Sequence, residues 1–275
     1  MMIKLIIVLL FLSTASSAQT IDSLSMLVKE IQRGENDSVR IASNGKFITG
    51  LQNLLMQPRS FNANYDSLKN VSILASDDKK FRIFSWVLPY FDGNKYEYFG
   101  FIQIHSEKSD TLIRLSDSTS VILKPESEKL SAKKWLGAIY YHVTTVKSAG
   151  KIYYTLLGWK GHDDKMTQKV IEILYFDGDK PKFGFPLFKS GSVFKNRILL
   201  SYNAQVTLTL HYDNNYNGIV FDHTGSNKNN SSIISGPDGT YDAFKLKKGK
   251  WILNSDVKVG SKLNPSENRP KPPQK

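Results

Sequence analysis

The sequence predicts a mainly β protein: an antiparallel sandwich, barrel or meander of ten or more short strands, preceded by a small N-terminal helical segment. Three observations carry that prediction. From about Val71 onward β-branched and aromatic residues recur with period two in short runs. The runs are separated by turn dipeptides that favour positive φ, namely Asp92-Gly93, Ala149-Gly150, Asp177-Gly178 and Asp238-Gly239. The chain of 275 residues is 40% hydrophobic and 12% aromatic, a globular composition with enough length for a large core.

Residues 1–18 read as an export signal, with a charged start ending at Lys4, an apolar run from Leu5 to Leu12, and Ser16 and Ala18 at the small positions before a cleavage site. That apolar run is shorter than the roughly 20 residues a membrane-spanning helix needs. Residues 19–60 read as helical. Leu24, Leu27, Val28 and Ile31 share one face, with Asp22 as a cap and Gly34 as a stop. Ile41, Ile48, Leu51 and Leu55 form a second face that ends before Pro58, weakened by Asn44 and Gly45.

Residues 61–257 form the predicted β-rich domain. Strands are expected at Phe81 to Leu88, Tyr96 to His105, Ile139 to Val146, Ile152 to Leu157, Val170 to Phe176 and Arg197 to Tyr202. Val206 to Tyr212 alternates most regularly, and weaker strands follow at Ile219 to Asp222, Thr240 to Phe244 and Lys250 to Leu253. The strings Tyr90 to Lys95 with Phe99-Gly100-Phe101, and Tyr175 to Lys180 with Phe183-Gly184-Phe185, are alike enough to pose an internal duplication. Residues 258–275, rich in proline and lysine without apolar period, read as a disordered basic tail.

Charge and cysteine content narrow the chemistry. No cysteine is present, which removes disulfides, thiolate zinc sites and a cysteine nucleophile. The formal charge of +12 is concentrated at the C-terminal end, where residues 245–275 hold nine Lys and Arg against Asp256 and Glu267. Such an end suits an anionic envelope component, and the export signal argues against a nucleic-acid partner. The Gly-x-Ser-x-Gly elbow, the Walker loop, the dinucleotide fingerprint and the His-Glu-x-x-His pair are all missing. The Ser-x-x-Lys spacing recurs six times, Ser76, Ser131, Ser192 and Ser255 among them, and reflects a lysine-rich composition rather than a catalytic design.

Weak candidates remain. His162 beside Asp163 and Asp164, and His223 beside Asp222, are pairings a general base or metal ligand uses when the fold adds a third group. Asp213, Asn215, Asn217 and Gly218 match the first half of a calcium loop. Thr224 stands where the bidentate carboxylate belongs, so an EF-hand is rejected and a β-context calcium site is the only cofactor left open. Trp159, between Gly158 and Lys160-Gly161 at a strand end, is the aromatic most expected to be exposed as a stacking platform for a glycan or peptide.

Arg82 to Trp86, Leu157 to Gly161, Phe183 to Phe188, Ile219 to His223 and Gly236 to Phe244 together resemble a family of uncharacterised exported proteins of Bacteroidota. The resemblance spans roughly residues 70 to 255. It implies a Gram-negative envelope location and brings no activity with it. The expected function is a non-catalytic binding or scaffolding module. The competing expectation is an exported hydrolase or metal-dependent enzyme that gathers His162, Asp163, Asp222 and His223 into one pocket.

Overall fold

The computed structural model describes residues 20–224 and 236–258, so the expected signal and most of the basic tail lie outside the described residues. Two helices come first, α1 over residues 20–33 and α2 over Asp37–Leu55. α1 buries Leu24, Val28 and Ile31 as its spacing predicts and stops at Gly34, but Asp22 lies inside the helix rather than at its cap. In α2 the buried face is Phe47, Ile48, Leu51 and Leu55, whereas Ile41 points to solvent. Asn44 does not weaken α2, because its Oδ1 is buried and accepts from the Trp86 indole N–H at 2.8 Å. The N-terminus is capped by Asn36, whose side chain accepts from the Val39 N–H.

The strands form three sheets. β1 (Ser72–Ala75), β2 (Phe81–Pro89), β3 (Tyr96–Ile104) and β4 (Thr111–Ser116) make an antiparallel meander in chain order. β5 (Leu130–Ser131), β6 (Ile139–Ser148), β7 (Lys151–Gly161), β8 (Met166–Asp177) and β9 (Lys180–Phe183) make the second sheet in the order β5-β9-β8-β7-β6. β10 (Phe188–Ser190) and β11 (Val193–Lys195) belong to the third sheet, while β12 (Arg197–Asn203) returns to pair with β8. β13 (Leu210–Asp213), β14 (Gly218–Thr224), β15 (Pro237–Lys247) and β16 (Lys250–Asn254) complete the third sheet, in the order β11-β10-β16-β15-β14-β13. Its β10–β16 contact is parallel and the rest of its ladder antiparallel. The sheets stack face to face, and no closed barrel forms among the described residues.

Three cores hold the layers together. The helices pack on one face of the first sheet through Phe84, Trp86, Leu88 and Phe101. The other face of that sheet, with Phe81, Ile83, Val87 and Ile102, meets Tyr154, Leu156, Val170 and Leu174 of the second sheet. The far side of the second sheet, with Val146, Leu157, Ile171 and Ile173, meets Phe188, Ile219, Phe244 and Trp251 of the third. The two inner sheets are therefore covered on both faces. That explains why β2 and β8 read as nearly unbroken apolar runs rather than clean alternations.

Two local expectations fail for identifiable reasons. Val206 to Thr209 is not a strand: Asn203 turns the chain by accepting from the Gln205 N–H, and the Asp222 carboxylate takes the Thr209 N–H at 2.6 Å, so β13 begins only at Leu210. Asp238-Gly239 joins no hairpin. Gly239 has φ +92° within β15, opposite the register shift between Asp222 and Thr224, so the positive φ serves a bulge.

The two similar strings also part company. Gly100 lies in the middle of β3, whereas Gly184 follows β9 with φ +86°. A Cβ at Gly184 would stand 2.6 Å from Arg197 Nη2 and 2.8 Å from the Glu128 carbonyl oxygen, while Gly178 has φ +59° in open space. Gly184→Ala is therefore expected to cost about 2–4 kcal/mol in urea denaturation, against about 1 kcal/mol for Gly178→Ala. Equal costs would show that the contact at Gly184 relaxes freely.

Candidate functional site

The residues singled out by sequence do not gather in one place. His162 and Asp163 sit in the β7–β8 turn with Nε2 and Oδ2 3.6 Å apart, and Asp163 Oδ1 accepts from the Lys165 and Met166 N–H groups. Asp164 shares that turn. His223, at the end of β14, bonds Asp242 of β15 at 3.0 Å, and this bond raises its pKa. Asp222 is occupied by Thr209. Among the described residues no hydrogen bond or ion pair joins the two histidine sites.

The Asp213–Gly218 segment is a tight β13–β14 turn. Asp213 Oδ1 accepts from the Asn215 and Tyr216 N–H groups, Asn217 Oδ1 accepts from the Tyr212 hydroxyl, and Asn217 takes φ +53°. Among the described residues no cluster of three or more His, Asp or Glu side chains is placed to hold a metal ion. Trp159 corrects the expectation of an exposed platform. Only 7% exposed, it packs edge-on to Tyr96 at 5.8 Å, with its ring against Gly161.

A polar network that the sequence reading missed lies inside the core between the first two sheets. Arg197 Nε donates to Glu172 Oε1 at 2.6 Å with both side chains fully buried, and Tyr140 donates its hydroxyl to Glu172 Oε2 at 3.2 Å. The Trp135 indole N–H donates to Tyr140 in turn. Arg197 Nη1 reaches the carbonyls of Pro125 and Glu128, pinning the loop that follows β4, and Arg197 Nη2 has no partner. Burial raises the Glu172 pKa while the guanidinium pulls against it. Both side chains are wholly buried and spend their polar atoms on each other, on Tyr140 and on loop carbonyls, contacts that hold the fold.

A cavity lies at the far end of the second sheet. β7 and β8 pair from Gly161↔Thr167 to Tyr154↔Leu174 and then stop, although each strand runs on for three residues. Residues 151–153 stay paired with Val146, Lys147 and Ser148 of β6, and residues 175–177 stay paired with Lys180, Pro181 and Lys182 of β9. Two hairpins thus diverge from a common ladder, and the wedge between them opens into a cavity of about 580 Å³. Its volume falls within the roughly 300–1,000 Å³ of ligand pockets.

Alternation places aromatic rings on both sides of this fork. Toward the third sheet, Tyr153, Tyr175 and Phe185 touch one another with centroids 4.6 to 5.8 Å apart. Toward the first sheet, Phe176 lies 6.1 Å from Tyr154 and 5.4 Å from Phe81. Tyr153 and Tyr154 are buried, while Tyr175, Phe176 and Phe185 keep part of their surface in the wedge. Lys80, Lys151 and Lys182 line it against one carboxylate, Asp177. Lys80 Nζ stands 5.1 Å above the Phe176 ring and Lys129 Nζ 5.4 Å from that of Phe185. The Tyr154 hydroxyl donates to Asp78 at 2.6 Å, and burial with that carboxylate pushes the phenol far above its usual pKa, so it stays a donor.

No protein-family model, curated protein or solved structure matches this chain. The site is therefore judged by its chemistry alone. A second cavity of about 410 Å³ beside Lys124, Glu126, Gln168 and Ser201 offers less. It has no aromatic lining, and its carboxylate Glu126 is taken by Lys195 at 2.6 Å. Of the fork residues, Tyr175-Phe176-Asp177-Gly178 and Phe185 were visible in sequence as half of the apparent repeat, a signal of a turn rather than of a site.

Proposed function

We propose that this protein is a non-catalytic binding module of a bacterial envelope, and that its ligand enters the fork between β7 and β8. The observation that carries the reading is the loss of pairing beyond Tyr154↔Leu174, which leaves two facing strand edges around an aromatic cavity. Unpaired strand edges are templates for further pairing, and partly exposed aromatic rings are usual materials of recognition sites. An enzyme reading draws no comparable support, because His162, Asp163, Asp222 and His223 are spent on local turns and strand contacts. Among the described residues no helix is long and apolar enough to cross a membrane. Export, suggested by residues 1–18, is part of the proposal.

The test is binding to arrays of immobilised glycans and peptides, comparing the protein with a Tyr175→Ala/Phe185→Ala variant whose fold is checked by circular dichroism. At least one array member should be retained by the protein and lost at least about tenfold by the variant, the order expected for deleting two stacking rings. No retention, or retention that the variant keeps, would overturn the reading.

A further inference from the structure

Resting on that reading, we infer that the fork takes a short acidic oligosaccharide, a chain of sugar units carrying carboxylates. Charge is the first reason. Lys80, Lys151 and Lys182 line the wedge against Asp177 alone, and among the described residues none of the three lysines forms a salt bridge. The second carboxylate nearby, Asp78, accepts from the Tyr154 hydroxyl and keeps its charge near Lys80, so three cations stand against two anions around the wedge. An occupant with negative charge would meet an excess of cations at the rim.

Shape and polarity supply the second reason. Tyr175, Phe176 and Phe185 keep part of their surface exposed and can pack on the C–H face of a pyranose, beside the lysines that already lie over Phe176 and Phe185. Between them the strand edges present alternating N–H and C=O groups, and a sugar hydroxyl answers either, since it both donates and accepts. Each unpaired edge is only three residues long, at 151–153 and 175–177, and alternate residues point the wrong way. That leaves too few main-chain groups for an added peptide strand, whose affinity comes from a run of such bonds. A sugar needs only one or two.

Calorimetry on the full chain would decide the matter with three probes: tetragalacturonic acid, a neutral galactose tetramer, and an acidic hexapeptide of Asp and Glu. The uronate is expected to bind, to weaken about tenfold in Lys151→Ala/Lys182→Ala and again in Tyr175→Ala, and to weaken with added salt. The neutral tetramer should bind at least about tenfold more weakly, in proportion to the lost charge-assisted contacts. Binding of the neutral sugar as tightly as the uronate, or of the peptide instead of either sugar, overturns the acidic-sugar inference while leaving a ligand-binding fork intact. Binding of none of the three also overturns it, and the broader array then decides whether the fork binds anything. Uronate affinity that both variants preserve overturns it as well, by placing the sugar elsewhere.

Discussion

Glu172→Ala is expected to destabilise the protein by about 3–5 kcal/mol, enough to leave a marginal domain partly unfolded at room temperature. Glu172 stands in β8 opposite Arg197 of β12, and both side chains are wholly buried between the first and second sheets. Truncating the carboxylate leaves the guanidinium with its two loop carbonyls and no counter-charge, in surroundings that cannot hydrate it. It also strips Tyr140 of its acceptor, and the Tyr140 hydroxyl is itself the acceptor for Trp135. Urea denaturation followed by tryptophan fluorescence reads the loss, and a cost under about 1 kcal/mol would show that water reaches the guanidinium. Glu172→Leu/Arg197→Met should recover much of the stability, because removing both charges also removes their desolvation cost. Full recovery is not expected, since Arg197 also holds the carbonyls of Pro125 and Glu128.

This network shows where sequence reading stops. β2, β3, β6, β8 and β12 were legible because their side chains alternate between two buried layers, and β-branched and aromatic residues mark each run. Glu172 within Val170 to Leu174 was equally visible as a charge in an apolar strand, yet its partner is set by β12 crossing back to β8, which no local pattern encodes. Trp159 was misread for a similar reason. Glycines on either side suggested exposure, whereas Gly161 is small because the indole ring packs on it. The fork was illegible because it depends on where two hairpins cease to pair. The periodicity of β7 and β8 continues unchanged through Tyr153 and Tyr175, past the point where their ladder ends.

Stability is expected to rise with pH between about 8 and 9, and Lys160 is the reason. The residue is 2% exposed, and its ammonium donates to Thr119 Oγ1, Leu136 O and Gly137 O at 2.8, 2.8 and 3.0 Å, with the Tyr98 ring centre 4.5 Å away. Burial outweighs these partners, and the attraction of Asp117 and Glu172, and lowers its pKa to about 8. In the unfolded chain a lysine titrates near 10.4, so between the two values the unfolded state holds the extra proton, and raising the pH favours the fold. The gap of a little over two pH units corresponds to at most about 3 kcal/mol. From about pH 9 the sign reverses: burial raises the phenols of Tyr98, Tyr140, Tyr141, Tyr154 and Tyr202 among others, so the unfolded chain, whose tyrosines begin to ionise there, sheds protons that the fold retains. Urea midpoints measured from pH 8 to 9 should therefore climb in the protein relative to those of Lys160→Met. The difference between the two slopes cancels the opposite contribution of His223, whose raised pKa gives stability that fades as pH rises through it. Parallel slopes in the two proteins would mean that Lys160 keeps its proton through three well-placed acceptors, and that the polar interior at β7 is hydrated enough to hold a charge at no cost.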